Sequence, residues 1–123
     1  MKSKKIKMIV ATHKEYQMPK DEIYIPVQVG AEGKTKIDNY QSDNEGENIS
    51  IKNPFFCELT GLYWAWKNLD VDYIGLVHYR RYFTSKNNVP KDENEKFKIV
   101  SNREEIEEIL KTTDVVLPKK RNY

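Results

Sequence analysis

Cysteine is almost missing from this sequence of 123 residues: Cys57 stands alone, which excludes an internal disulfide. Histidine is nearly as scarce, with only His13 and His78, so a Cys/His zinc site is not expected and any metal would rest on carboxylates. No apolar run approaches the roughly 18 residues that span a bilayer. The stretch Ile6 to Ala11 is also too short for the core of a secretory signal. These absences lead us to expect a cytoplasmic protein. Net charge is low as well, since 21 basic and 19 acidic side chains leave +2, and this makes no case for a nucleic-acid binder. No internal repeat is visible, and the length suits one domain over residues 1–123.

What the chain does contain is enough to fold. Hydrophobic residues make up 38%, among them 8 Tyr, 4 Phe and 2 Trp, which excludes disorder of the low-hydrophobicity kind. Charge is unevenly spread. Lys2, Lys4, Lys5, Lys7 and Lys14 precede the first acid, Glu15, whereas Asp38, Asp43, Glu45 and Glu47 share a stretch without Lys or Arg. Solvated surface is the simpler reading of both, and the basic start also offers a peripheral contact to anionic lipid at the inner face of a membrane.

Short apolar runs alternate with two helical patterns, the order of an α/β domain. Ile6, Met8, Ile9, Val10 and Ala11 are nearly continuous, which predicts a strand buried on both faces and ending at Thr12 and His13. Ile23 to Val29 holds Pro26, which has no amide to give, so it reads as an edge strand or irregular extended chain. Residues 30–50 lack any period and read as a long loop. A helix then begins at Asn53 as N-cap with Pro54 at the first helical position. Phe55, Leu59, Leu62, Trp66 and Leu69 form its apolar stripe, expected to dock on a sheet; Glu58, Gly61, Ala65 and Asn68 form a second stripe.

Tyr73 to Phe83 predicts an interior strand, flanked by Ile6 to Thr12 and by Asp114 to Leu117. Alternation puts Ile74, Leu76, His78 and Arg80 on one face and Val77, Tyr79 and Arg81 on the other. Residues 97–100 suggest a short strand, and Ser101 with Glu104 a capping box for a helix through Lys111.

In open α/β sheets ligands bind beyond the carboxyl ends of the strands, so Thr12, His13 and the His78 to Arg81 block are expected on one rim. Arg80 and Arg81 carry planar donor forks suited to a diphosphate or carboxylate, and His78 can donate a hydrogen bond or carry a proton. Surface ion pairs with loop acids explain the arginines equally well. Asp70, Val71 and Asp72 spell DxD, a pattern that holds Mn²⁺ or Mg²⁺ against a nucleotide diphosphate. This one precedes its strand and therefore falls at the opposite edge, where a turn is the better reading. Tyr63, Trp64, Trp66 and Tyr79 are candidates to stack on a sugar or base, or else core, and Cys57 is most simply a small packed residue.

The segments ATHK, YIPVQVGAE, NISIKNPFFCELTGLYWAWKN and DYIGLVHYRRYF closely resemble a family of bacterial capsular and exopolysaccharide biosynthesis proteins. The family is formally a domain of unknown function and is described as glycosyltransferase-like, related to nucleotide-sugar transferases with a GT-A Rossmann-like domain. The resemblance runs from Ile6 to Pro118 and implies a mainly parallel sheet flanked by helices, incomplete because family domains are about twice as long. It also implies a nucleotide-diphosphate sugar as donor and a saccharide acceptor, with Thr12 and His13 toward the nucleoside and Arg80 and Arg81 toward the diphosphate. Glu58 and His78 then fall at the sugar or the reacting centre. Where the related nucleotide-sugar transferases carry DxD this chain carries His78 to Arg81, so a divalent cation is possible but not supported by a well-placed DxD, and arginine could neutralise the leaving group without one. The competing reading is a noncatalytic carbohydrate- or nucleotide-binding module of a polysaccharide assembly system.

Overall fold

A computed structural model describes residues 5–79, 82–83 and 100–117. Four strands, β1 (Ile6–Thr12), β2 (Tyr24–Gln28), β3 (Gln41–Ser42) and β4 (Tyr73–His78), form one sheet in the order β3-β2-β1-β4 with every pairing parallel. Among the described residues three α-helices accompany them, α1 (Asn53–Phe56), α2 (Leu59–Asn68) and α3 (Arg103–Leu110), with a 3-10 turn at Ser50–Lys52. The expected Rossmann-like architecture of a parallel sheet with helices on its faces is therefore present.

Burial on both faces explains the unbroken apolar run of β1. Ile6, Met8 and Val10 point into one core with Tyr24, Val77, Ile106 and Leu110, on the side covered by α3. Ile9 and Ala11 point into the other with Val27, Val29, Trp64 and Ala65, on the side covered by α2.

Several expectations need correction. β2 is interior despite Pro26. Met8 N–H donates to Ile23 O and Val29 N–H to Thr12 O, so the odd-numbered residues of β2 carry the ladder to β1. Pro26 is turned the other way, where β3 pairs only with Val27 and Gln28 and asks no amide of it. β4 stops at His78, and among the described residues it pairs with β1 alone; the 114–117 segment forms no strand, and its Val115 and Leu117 are exposed. Of the short strand expected at 97–100, the described Val100 is a buried bend, and the rest lies outside the described residues. The capping box falls one residue later than expected, on Asn102 and Glu105.

The helix expected from Asn53 is interrupted at Cys57, whose φ of +52° breaks it into α1 and α2. Its docking face is also inverted. Thr60, Gly61, Trp64 and Ala65 meet the sheet, while Phe55, Leu59 and Trp66 face solvent. A Cβ on Gly61 would lie 2.8 Å from Val29 Cγ1, so the missing side chain is what lets α2 settle this close to the end of β2.

Candidate functional site

The carboxyl ends of β2, β1 and β4 lie side by side in this sheet, and β1 and β4 are followed by polar sequence. Register puts His78 beside Ala11, and Tyr79 N–H continues the ladder by donating to Ala11 O. His78 shares its face of β4 with Ile74 and Leu76, which pack on the α2 side. That alternation aims the imidazole at the start of α2, where Glu58 is the N-cap. Glu58 Oε1 lies 3.9 Å from His78 Nε2, and both side chains are partly exposed, at 43% and 28%. The helix N-terminus supplies partial positive charge to the same carboxylate.

Tyr79 points to the other face and stacks flat on Tyr16, with ring centroids 4.0 Å apart and planes within 8°. Its ring also lies 4.1 Å from that of His78. Tyr16 is held in turn by Tyr40, whose hydroxyl accepts from Tyr16 N–H at 3.0 Å and donates to Tyr16 O at 2.8 Å. The loop after β1 is thus tied both to β4 and to the loop before β3.

Thr12 is fully buried, and its hydroxyl is engaged by the chain just beyond: it donates to Lys14 O at 2.6 Å and accepts from Lys14 N–H at 3.3 Å. It shapes the turn that carries His13, which is exposed. Arg80 and Arg81 lie outside the described residues.

The rim has a buried anchor that composition concealed. Asp43, in the acidic stretch read as solvated surface, is completely buried and accepts four hydrogen bonds. Its Oδ1 takes them from Ala31 N–H at 3.0 Å and Ser50 Oγ at 2.5 Å, and its Oδ2 from Gly30 N–H at 2.7 Å and Thr60 Oγ1 at 2.6 Å. Asn53 Nδ2 donates to Thr60 Oγ1 and to Cys57 O, extending the network to α1. One carboxylate therefore fastens the turn after β2, the loop before α1 and the first turn of α2. No sequence signal marked Asp43, Tyr16 or Tyr40, since each works through partners far along the chain.

The Asp70–Asp72 turn lies at the amino edge, as its order in the sequence implied. Asp72 accepts from Lys5 N–H at 2.7 Å, and Asp72 N–H and Tyr73 N–H both donate to Lys5 O, so it clips the start of β4 to β1. It does not fit a cation held at the carboxyl rim. Among the described residues no three His, Cys, Asp or Glu side chains gather into a metal-binding group. Of the aromatic candidates, Trp64 is core, and Tyr63 meets Trp66 edge to face on the outer side of α2. An apolar groove of about 510 Å³ runs between β4, α3 and residues 114–117, lined from the amino halves of β1 and β4 and so set apart from the rim. No helix among the described residues is long and apolar enough to cross a membrane.

The sequence model of a family described as "Domain of unknown function (DUF4422)" matches residues 7–123. Among curated proteins none matches the chain in sequence. A solved structure titled WbbM bifunctional glycosyltransferase, in its apo form, superimposes with a TM-score of 0.81 at 36% identity. The match covers 94% of this chain and 23% of that one, so the chain spans under a quarter of the length of the glycosyltransferase it resembles.

Proposed function

The chain belongs to the glycosyltransferase-like DUF4422 family, and on that premise we propose that it serves transfer of a sugar from a nucleotide-diphosphate donor to a growing capsular or exopolysaccharide. The observation that carries this reading is the Glu58–His78 pair, held 3.9 Å apart at the carboxyl edge of a parallel sheet, in a fold shared with part of a glycosyltransferase. The donor's nucleoside lies against His13, on the turn after β1 that the buried Thr12 shapes. Arg80 and Arg81 meet the diphosphate and stabilise the charge it gains as the bond from its oxygen to the sugar's anomeric carbon breaks. The acceptor hydroxyl forms the new bond to that carbon and gives its proton to the Glu58–His78 pair. A divalent cation has no role in this reading, since the DxD turn is committed to the amino edge. The basic start leaves room for peripheral contact with the inner face of a membrane.

Calorimetric titration with UDP-sugars and GDP-sugars, with Mn²⁺ and with chelator, tests the binding half of the proposal, and release of nucleoside diphosphate tests the chemistry. Binding that is weakened by Arg80→Lys or Arg81→Lys supports it, because lysine keeps the charge and loses the fork. Binding without turnover, in this chain and in longer relatives, would favour the noncatalytic module. No binding of any donor would overturn both.

A further inference from the structure

Tyr79, a candidate to stack on a sugar or base, has both faces of its ring taken within the chain. Tyr16 lies parallel to it with centroids 4.0 Å apart, and the His78 imidazole lies 4.1 Å from the same centroid at a tilt of 36°. Two rings this close to one centroid cannot share a face without overlapping, so Tyr16 and His78 sit on opposite faces of Tyr79. The three rings make one column at the carboxyl rim. Its outer end is gripped through the main chain: the Tyr40 hydroxyl accepts from Tyr16 N–H at 3.0 Å and donates to Tyr16 O at 2.8 Å, which engages that hydroxyl both as acceptor and as donor. Tyr16 is 39% exposed and lies in a loop, where a ring is ordinarily mobile. Here its backbone and its ring are both held.

We propose that Tyr40 is a positioning residue for His78, acting through Tyr16 and Tyr79 to set the plane of the imidazole at the reacting centre. This deepens, and rests on, the reading that the Glu58–His78 pair takes the acceptor's proton. Backbone pairing places the His78 main chain, since the ladder of β4 continues through Tyr79 N–H to Ala11 O, but it leaves the side-chain torsions undetermined. Glu58 at 3.9 Å is too distant to orient the imidazole by a direct hydrogen bond. A ring packed against the imidazole restricts its rotation, provided that ring cannot retreat. Tyr79 cannot, because Tyr16 covers its far face, and Tyr16 cannot, because Tyr40 grips its N–H and its carbonyl together. The hydroxyl of Tyr40 is therefore the fixed end of a chain of contacts whose other end is the base.

Proton NMR on the full chain tests the geometry without any ligand. The sequence holds only two histidines, so His13→Gln leaves the His78 imidazole signals alone in the spectrum, displaced by the ring current of Tyr79. In that background Tyr40→Phe, which deletes one hydroxyl, should move those signals toward their positions in an unfolded chain. Tyr16→Leu should do the same, whereas Tyr16→Phe keeps the ring and should keep the signals. Lys36→Gln removes the 3.1 Å ion pair to Glu45, in the same stretch as Tyr40 but outside the column, and should leave them in place. With His13 restored, Tyr40→Phe should lower kcat for donor turnover about tenfold, as for a slightly misplaced base, with KM within about threefold of the parent. A purely structural hydroxyl would lower the denaturation midpoint and change neither kcat nor the imidazole signals of the folded protein, and that result overturns the proposal. Moved signals with kcat unaltered overturn it too. Turnover absent from every form would instead overturn the transfer reading, and the imidazole signals alone would then decide whether Tyr40 holds His78.

Discussion

Glu58 Oε1 stands 3.9 Å from His78 Nε2, a carboxylate at the N-cap of α2 facing an imidazole at the last residue of β4. The gap exceeds a direct hydrogen bond. Both groups sit on elements fixed by core packing on the same side of the sheet, which is how a pair on two separate elements keeps its spacing.

Glu58→Gln retains shape and removes the base. If the pair takes the acceptor's proton, sugar transfer or donor hydrolysis falls by about 10²–10⁴-fold, with donor affinity within a few-fold of the unmodified chain. His78→Gln behaves likewise. Calorimetry beside a nucleoside-diphosphate release assay makes the comparison; loss of affinity with turnover of bound donor intact would assign the pair to binding.

Asp43→Asn is expected to destabilise the fold by about 3 kcal/mol, the scale for a buried charged acceptor that loses its partners. Each carboxylate oxygen receives one backbone amide and one hydroxyl. A hydroxyl can rotate to accept from the new NH₂, but the amide of Gly30 or Ala31 cannot, so one buried N–H is left facing another donor. Urea denaturation measures the loss. Protease cleavage within residues 30–50 should accelerate more than cleavage elsewhere.

Much of this arrangement is legible in the sequence. The continuous apolar run of β1 and the alternation of β4 give the strands, their faces and the side toward which His78 points, because both patterns are local. The face of α2 was not legible. Both of its stripes are apolar or small, and the choice falls to Gly61, which admits Val29, and to Thr60, whose hydroxyl Asp43 claims. The same limit hid Asp43, whose donors come from residues 30, 31, 50 and 60. Pro26 misled for a related reason: it demotes a strand only if the neighbour on its amide side extends that far, and β3 does not.

Gly61→Val tests the close approach of α2 to β2. The new Cβ alone would fall 2.8 Å from Val29 Cγ1, and Val29 is buried and stiff, so the helix must retreat. The expected cost is about 3 kcal/mol, at the upper end for overpacking. Because the first turn of α2 carries Glu58, the Glu58–His78 spacing should open as well, and donor turnover per folded molecule should fall with stability. Unchanged turnover in the folded fraction would uncouple the pair from the seat of the helix.

Tyr24 predicts how stability depends on alkali. Its ring is in the α3-side core and its hydroxyl donates to Ser101 O, joining β2 to the chain before α3. Burial first, and then the nearby Asp21, Tyr82 and Glu105, hold its phenol well above the ordinary value. The folded state therefore keeps a proton that the unfolded chain releases near pH 10. Tyr24's contribution is fully present below that pH and is lost above it, as the pH climbs toward the folded-state value, by at most about 1.4 kcal/mol per pH unit. Tyr24→Phe cannot ionise. It should be less stable than the parent by about 1 kcal/mol at pH 7, for one lost hydrogen bond, and its deficit should shrink and then reverse between about pH 10 and 11.5. Denaturation midpoints of the two proteins across that range provide the measurement. Parallel curves would mean that Tyr24 ionises as readily in the folded chain as in the unfolded one, and that its contact with Ser101 does not close this side of the core.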